Sequence, residues 1–259
     1  MVVLVLINIK SYYIYILASC MVIFTIIVSA FIMTNNIFGA SLPLSGKCIV
    51  IDAGHGGLDG GAVSKDGTAE KDINLKIAMH LRKMLVKNGA EVIMTRTEDI
   101  SLHSNDEASV REKKRSDLNN RRELVNNSNA DFLISIHLNY FVEPQYKGAQ
   151  MFYEGSHPES KILGEILQKS LIENLDSGNT RVAKKLDTMK LLFNDLSIPG
   201  VIAECGFLSN YEETQKLKDS DYQQKIAKAL YLGINEYFNT PKPKQSFSAS
   251  VFLKTVEEL

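Results

Sequence analysis

The 259-residue chain has only three cysteines, Cys20, Cys48 and Cys205. No two of them form a CxxC pair, so neither a disulfide framework nor a cysteine-based zinc site is indicated. Cys20 lies in a long apolar run, and the other two lie in strand-like apolar stretches, where a buried inert thiol is the default. Excess charge of either sign is also missing. Lys and Arg total 29 against 30 Asp and Glu, for a net charge of −1. Nothing in that balance suggests nucleic-acid binding by bulk electrostatics. No internal repeat is visible. What is abundant is apolar sequence: at 45% hydrophobic residues, the chain can bury a substantial core in one domain of moderate size.

The first 40 residues stand apart. Tyr12 to Met33 (YYIYILASCMVIFTIIVSAFIM) contains no charged residue and is long enough to span a bilayer. Lys10 precedes it and no acid does, the polarity of an N-terminus left in the cytoplasm with the rest exported. The run exceeds a usual signal-peptide core, and cleavage after Ala40 would place Phe38 where a small residue is preferred. Both points favour an uncleaved anchor over a cleaved signal. We therefore expect an anchor region over 1–40, a linker over 41–46, a catalytic domain over 47–238 and a loose tail over 239–259.

From Lys47 onward, apolar strands alternate with amphipathic helices. Strands are expected at Cys48–Asp52, Val92–Thr95, Phe132–Ile136, Gly148–Tyr153 and Val201–Ala203. Helices are expected over Glu70 to Asn88, with Thr68 as N-cap and Gly89 as the stop, over Leu118–Asn127, around Ile162 to Leu171, and around Tyr222 to Tyr237. The mixed charges of Ser104 to Glu123 read as a solvated loop leading into the second helix. The pattern predicts an α/β fold: a single domain with a mainly parallel sheet flanked by helices, behind an N-terminal transmembrane or signal helix. Such sheets place ligands at the C-terminal ends of their strands.

Four residues fall at those ends. His55 sits in the glycine-rich IDAGHGG, Glu70 opens the first helix in GTAEKDINL, His137 ends FLISI and Glu204 follows VIA. Two imidazoles and a carboxylate make a common open zinc site, and a further carboxylate is what a metal-assisted hydrolase needs as a base. Each residue alone has a plainer reading: an acid in a first helical turn, such as Glu70, favours the helix dipole without any metal. His80, His103 and His157 lie on a helix face or in polar loops and make weaker candidates.

These motifs, in the order IVIDAGHGG, AEKDINL, RREL…NADFLISIHLN and VIAECGFLSN, resemble the zinc-dependent N-acetylmuramoyl-L-alanine amidases of the bacterial cell wall, the type-3 group. The resemblance spans about Lys47 to Phe238. It implies one zinc ion held by His55, Glu70 and His137, with Glu204 as the catalytic acid–base, in hydrolysis of the amide joining N-acetylmuramic acid to L-alanine in peptidoglycan. Asp52 either orients a ligand from behind or caps its strand, and Asn139 and Arg181 are assigned to the substrate groove. The layout is most similar to the spore-cortex, germination-specific branch. That similarity implies preparation of muramic acid for δ-lactam formation, a peptidoglycan deacetylase acting afterwards, and an accessory lipoprotein partner. Asn139–Gly148 is too short for the occluding helix that division-associated relatives carry there. The alternatives are a non-cleaving peptidoglycan-binding domain with the same fold, and a cysteine hydrolase with Cys205 as nucleophile.

Overall fold

The computed structural model describes residues 2–38, 42–187 and 191–241. The chain divides into two compact units, Met1–Pro43 and Leu44–Leu259. The expected tail falls almost wholly outside the described residues. In the first unit, helix α1 (Val2–Phe38) contains the span Ser11–Ser29, with a mean hydropathy of 2.1 and none of its length buried. By length and composition it can cross a membrane.

The second unit carries a six-stranded sheet. Its strands are β1 (Cys48–Ala53), β2 (Glu91–Met94), β3 (Phe132–Asn139), β4 (Gln150–Tyr153), β5 (Lys184–Lys185) and β6 (Gly200–Phe207). They lie in the order β2-β1-β3-β6-β4-β5. The pairs β1–β2, β1–β3 and β3–β6 are parallel, and β4 runs antiparallel to β6. The helices are α2 (Glu70–Lys87), α3 (Val110–Asn126), α4 (Pro158–Asn174), α5 (Tyr211–Lys218) and α6 (Ser220–Asn239).

The pleat divides the side chains of each strand between two layers. Ile49 and Ile51 of β1, Ile134 and Ile136 of β3, and Val201 and Ala203 of β6 join one core with Ile73, Ile77 and Leu81 of α2, Leu163 and Leu167 of α4 and Ile226 and Leu230 of α6. A smaller core on the other face gathers Val50, Leu133, Ile202 and Val125 with Leu192 and Phe193 of a 3₁₀ turn at Leu191–Phe193. Ile77, Leu81 and Leu85 of α2 are fully buried, each worth about 1.5–3 kcal/mol relative to exposure.

Several boundaries differ from those expected. Thr68 does not cap α2; the N-cap is Ala69, without a side-chain bond, and the Thr68 hydroxyl donates instead to Asp66. The charged stretch before Leu118 is helical from Val110, because Ser109 and Glu112 close a reciprocal capping box. β3 and β6 run further than expected, so His137 and Glu204 lie within strands rather than beyond them. Gly89, at φ +94, does follow the C-cap Asn88.

Candidate metal centre

β1 delivers its chain into the loop that carries His55. Gly54 permits the closest approach, since a Cβ there would overlap the His137 ring. His55 itself sits at φ +63, a conformation that costs a residue with a side chain. The loop offsets that cost with fixed partners. Gly56 and Asp59 exchange backbone hydrogen bonds of 2.9 and 3.1 Å, and the Arg121 guanidinium donates to the His55 carbonyl at 2.7 Å. The Asp59 carboxylate lies 2.9 Å from His55 Nδ1, which turns Nε2 toward Glu70, 3.2 Å away.

Glu70 is 3% exposed at the start of α2. The backbone N–H groups of Ala62 and Leu138 donate to its two oxygens at 2.9 and 3.0 Å, and Asn74 donates at 3.2 Å. His137 Nδ1 lies 2.9 Å from the same carboxylate. Gly61, at φ +69, leaves room for it; a Cβ would fall 2.6 Å from Glu70 Oε2. Burial alone would raise the Glu70 pKa, but the hydrogen bonds from His137 and His55 hold it well below the usual carboxylate range. Burial likewise opposes charge on His55, yet the bonds to Asp59 and Glu70 prevail and raise it to about 9.

The strand register fixes the remaining carboxylate. His137 and Glu204 are cross-strand partners in the parallel pair β3–β6, so their side chains leave the same face about 4.8 Å apart. Glu204 is 9% exposed and lines a cavity of about 450 Å³ together with His55, Glu70 and His137. One nitrogen from each histidine and one Glu70 oxygen lie within 4.8 Å of one another. Two imidazole nitrogens and a carboxylate facing one point, with an open cavity beside them, suit a catalytic zinc ion.

Asp52 is in the cavity lining but touches neither histidine. Thr95, Ser135 and Arg121 donate to it; among the described residues no backbone N–H does. Burial opposes its charge, but Arg121, His137 and the two hydroxyls bring its pKa down to about 2. Its role runs through Arg121, 1% exposed, which also binds Asp117 and the carbonyls of Ala53 and His55. Arg96, 2% exposed, takes the carbonyls of Ala53 and Gly54 from the other side. Sequence reasoning missed both arginines as parts of the site, along with Asp59 and Lys114. RREL was a signal for Arg121 only through its place in a family motif.

Asn139 and Arg181 fall elsewhere. The Asn139 side chain accepts from the Tyr140 N–H, and Arg181 binds the Lys147 carbonyl and Gln150 and lies over the Phe207 ring. Neither lines the cavity; Tyr140 does. Cys205 points into the opposite core, 2% exposed, where burial and the charges of Glu204 and Glu70 push its thiol pKa up. That placement rules out the nucleophile reading, since the reactive species is the thiolate. Cys205→Ala is expected to retain turnover within about threefold, at the stability cost typical of a small core truncation; loss of all activity would reinstate the thiol.

Two histidines and a carboxylate at the C-terminal ends of parallel strands, joined by Glu70 from the start of α2, make a hydrolase site with donors able to hold a metal ion. Residues 49–236 match the family model for N-acetylmuramoyl-L-alanine amidase. The chain is 42% identical over 198 residues to the germination-specific N-acetylmuramoyl-L-alanine amidase of Bacillus subtilis, covering 76% of this chain and 82% of that protein. The CwlD amidase of Clostridioides difficile, solved in complex with the GerS lipoprotein, superposes with a TM-score of 0.72 at 45% identity, covering 75% of this chain and 99% of that one. A second amidase, from Clostridium difficile 630, gives a TM-score of 0.65 at 29% identity over 76% and 98% of the two chains. The chain belongs to the N-acetylmuramoyl-L-alanine amidase family, and its enzymatic class is that of a peptidoglycan amidase. Nothing in the fold or the site favours a non-cleaving wall-binding domain.

Proposed function

We propose that the enzyme is zinc-dependent, with one ion held by His55, Glu70 and His137, and that Glu204 is its general base and acid. The observation that carries this reading is the convergence of those donors beside Glu204. Bound there, zinc would supply a Lewis acid that acidifies water and stabilises charge on the attacked carbonyl oxygen. The protein does the rest. Asp59 holds the Nδ1–H of His55 so that Nε2 faces the centre, and the Ala62 and Leu138 N–H groups fix Glu70. Glu204 accepts a proton from the attacking water. It then passes that proton to the L-alanine nitrogen as the C–N bond breaks, leaving a lactyl carboxylate and a free peptide amine.

By likeness to the Bacillus relative, we assign the reaction to spore cortex during germination, where it would prepare muramic acid for δ-lactam formation in concert with a peptidoglycan deacetylase. The apolar α1 supports an exported enzyme, anchored through 1–40 and a linker at 41–46, with catalysis in 47–238 and a tail over 239–259. The lipoprotein in the complex with the Clostridioides relative supports an accessory lipoprotein partner here.

Calorimetric titration of zinc into the full chain in detergent tests the metal assignment. One-to-one binding is expected, lost in His55→Ala. The affinity should tighten as pH rises toward about 9, because zinc must displace the proton that Asp59 and Glu70 hold on His55. Unchanged binding in His55→Ala would refute the ligand set.

A further inference from the structure

We propose that Lys114 forms a carboxylate-binding subsite for the acidic stem peptide of the substrate. The inference rests on the muramoyl-peptide reading of the site. Apart from the metal donors His55, Glu70 and His137, the cavity is lined by the carboxylates Asp52, Asp59, Asp117 and Glu204 and by the cations Lys114 and Arg121. Zinc would offset charge at the centre itself, so an acidic group bound away from the metal needs a cation of its own. Arg121 cannot be that cation. It is 1% exposed, and its N–H groups serve Asp52, Asp117 and the carbonyls of Ala53 and His55. Lys114 remains as the cation of the described lining that a ligand can reach.

Its placement suits the task. Helical spacing on α3 sets Lys114 on the same face as Asp117, Leu118 and Arg121, one turn further out from the buried floor. Its side chain is 52% exposed, and Nζ lies 2.9 Å from Asp59 Oδ2. That is its one charged partner among the described residues. An ammonium has three donors, so further N–H groups stay available. The same Asp59 oxygen lies 2.9 Å from His55 Nδ1, so the ammonium stands a single carboxylate away from the proposed ligand. Exposed Arg111 and Arg115 flank it on the helix and have no ion pair among the described residues, which extends the positive rim outward.

The substrate presents the matching charge. The residue after L-alanine in the stem peptide is D-glutamate, whose free carboxylate lies about two extended residues, or roughly 7 Å, from the scissile amide. A carboxylate there can take the remaining ammonium donors without displacing Asp59. An ion pair at this exposure is worth about threefold in affinity, up to about fivefold.

The test compares two soluble muramoyl peptides that differ only in D-glutamate or its amide, D-isoglutamine. Each is given to the zinc-loaded full chain as parent, Lys114→Gln and Lys114→Arg, and binding is also measured by calorimetry in a Glu204→Gln background. The parent should show a KM and a Kd about threefold to fivefold lower for the carboxylate form. Lys114→Gln should erase that preference by raising KM and Kd for the carboxylate form toward those of the amide form, while Lys114→Arg should restore it. An equal fall in kcat on both peptides, or a preference that survives in Lys114→Gln, would overturn the proposal and leave Lys114 as a support for Asp59. Affinity in the Glu204→Gln background decides the subsite without turnover; cleavage by that variant would count against the catalytic assignment alone and leave the KM comparison to decide the subsite.

Discussion

Glu204→Gln should retain zinc and lose about 10²- to 10⁴-fold in kcat, the range that general acid–base catalysis contributes. Glutamine keeps the volume of the side chain at a position 9% exposed, so the cavity wall and the β3–β6 pairing should stand. The amide cannot accept the proton of the attacking water, nor return it to the departing nitrogen. The other carboxylates of the lining offer no substitute. Glu70 is held by Ala62, Leu138 and both histidines, and Asp52 by Arg121, Thr95 and Ser135. Release of new peptide amino termini from purified peptidoglycan, measured alongside zinc content, checks the outcome. Simultaneous loss of zinc would make Glu204 a ligand, and undiminished release would remove it from the chemistry.

Arg121→Met should cost about 3–5 kcal/mol of folding stability, the penalty for stranding a buried charge by removing its partner. The guanidinium joins Asp52, Asp117 and the carbonyls of Ala53 and His55, with side-chain exposures of 1%, 2% and 9% for Arg121, Asp52 and Asp117. Methionine fills most of the volume and satisfies none of these groups. A pH signature accompanies the loss. Because the Asp52 pKa is depressed from 3.8 to about 2, the pair stabilises the fold above about pH 4, and that contribution disappears as pH falls toward 2. Arg121→Met should lack it throughout, so its deficit against the parent should narrow in acid. Activity should fall as well, since the His55 carbonyl loses its donor while His55 still needs φ +63. Denaturant titration across pH measures both effects; an unchanged midpoint near neutrality would show that the network is dispensable.

The sheet and its helices could be read from the chain because CIVID, FLISI and VIA are short apolar runs set between helix-period segments. The sequence positions of His55, His137 and Glu204 could be read because each sits where such a run ends, and that of Glu70 because it opens the first helix-period segment. What could not be read was contact at a distance. Asp59 looks like a turn residue before Gly60, and only the backbone exchange between Gly56 and Asp59 brings it back to His55. Arg121 looks like one more surface charge in a run of charges, until β1 supplies two acceptors, Asp52 and the Ala53 carbonyl, and the loop after it a third, the His55 carbonyl. Ser109 hides as a helix cap because the acids and bases after it resemble a solvated loop. The reversed direction of β4 also leaves no trace in composition, since an antiparallel neighbour of β6 needs the same apolar residues as a parallel one.

Just past His137 the β3–β6 register slips, and Gly206 at φ +156 and the Glu213 carboxylate, which accepts from the Phe207 and Gly148 N–H groups, pin the departure of the chain. The catalytic residues lie on the sheet side of that pin, and residues 140–147 lie beyond it. Mutation and selection can therefore lengthen, shorten or replace this segment while the chemistry stays in register. The bulge thus acts as a mechanical break: strain imposed on residues 140–147 ends at the pin and does not reach the spacing between His137 and Glu204.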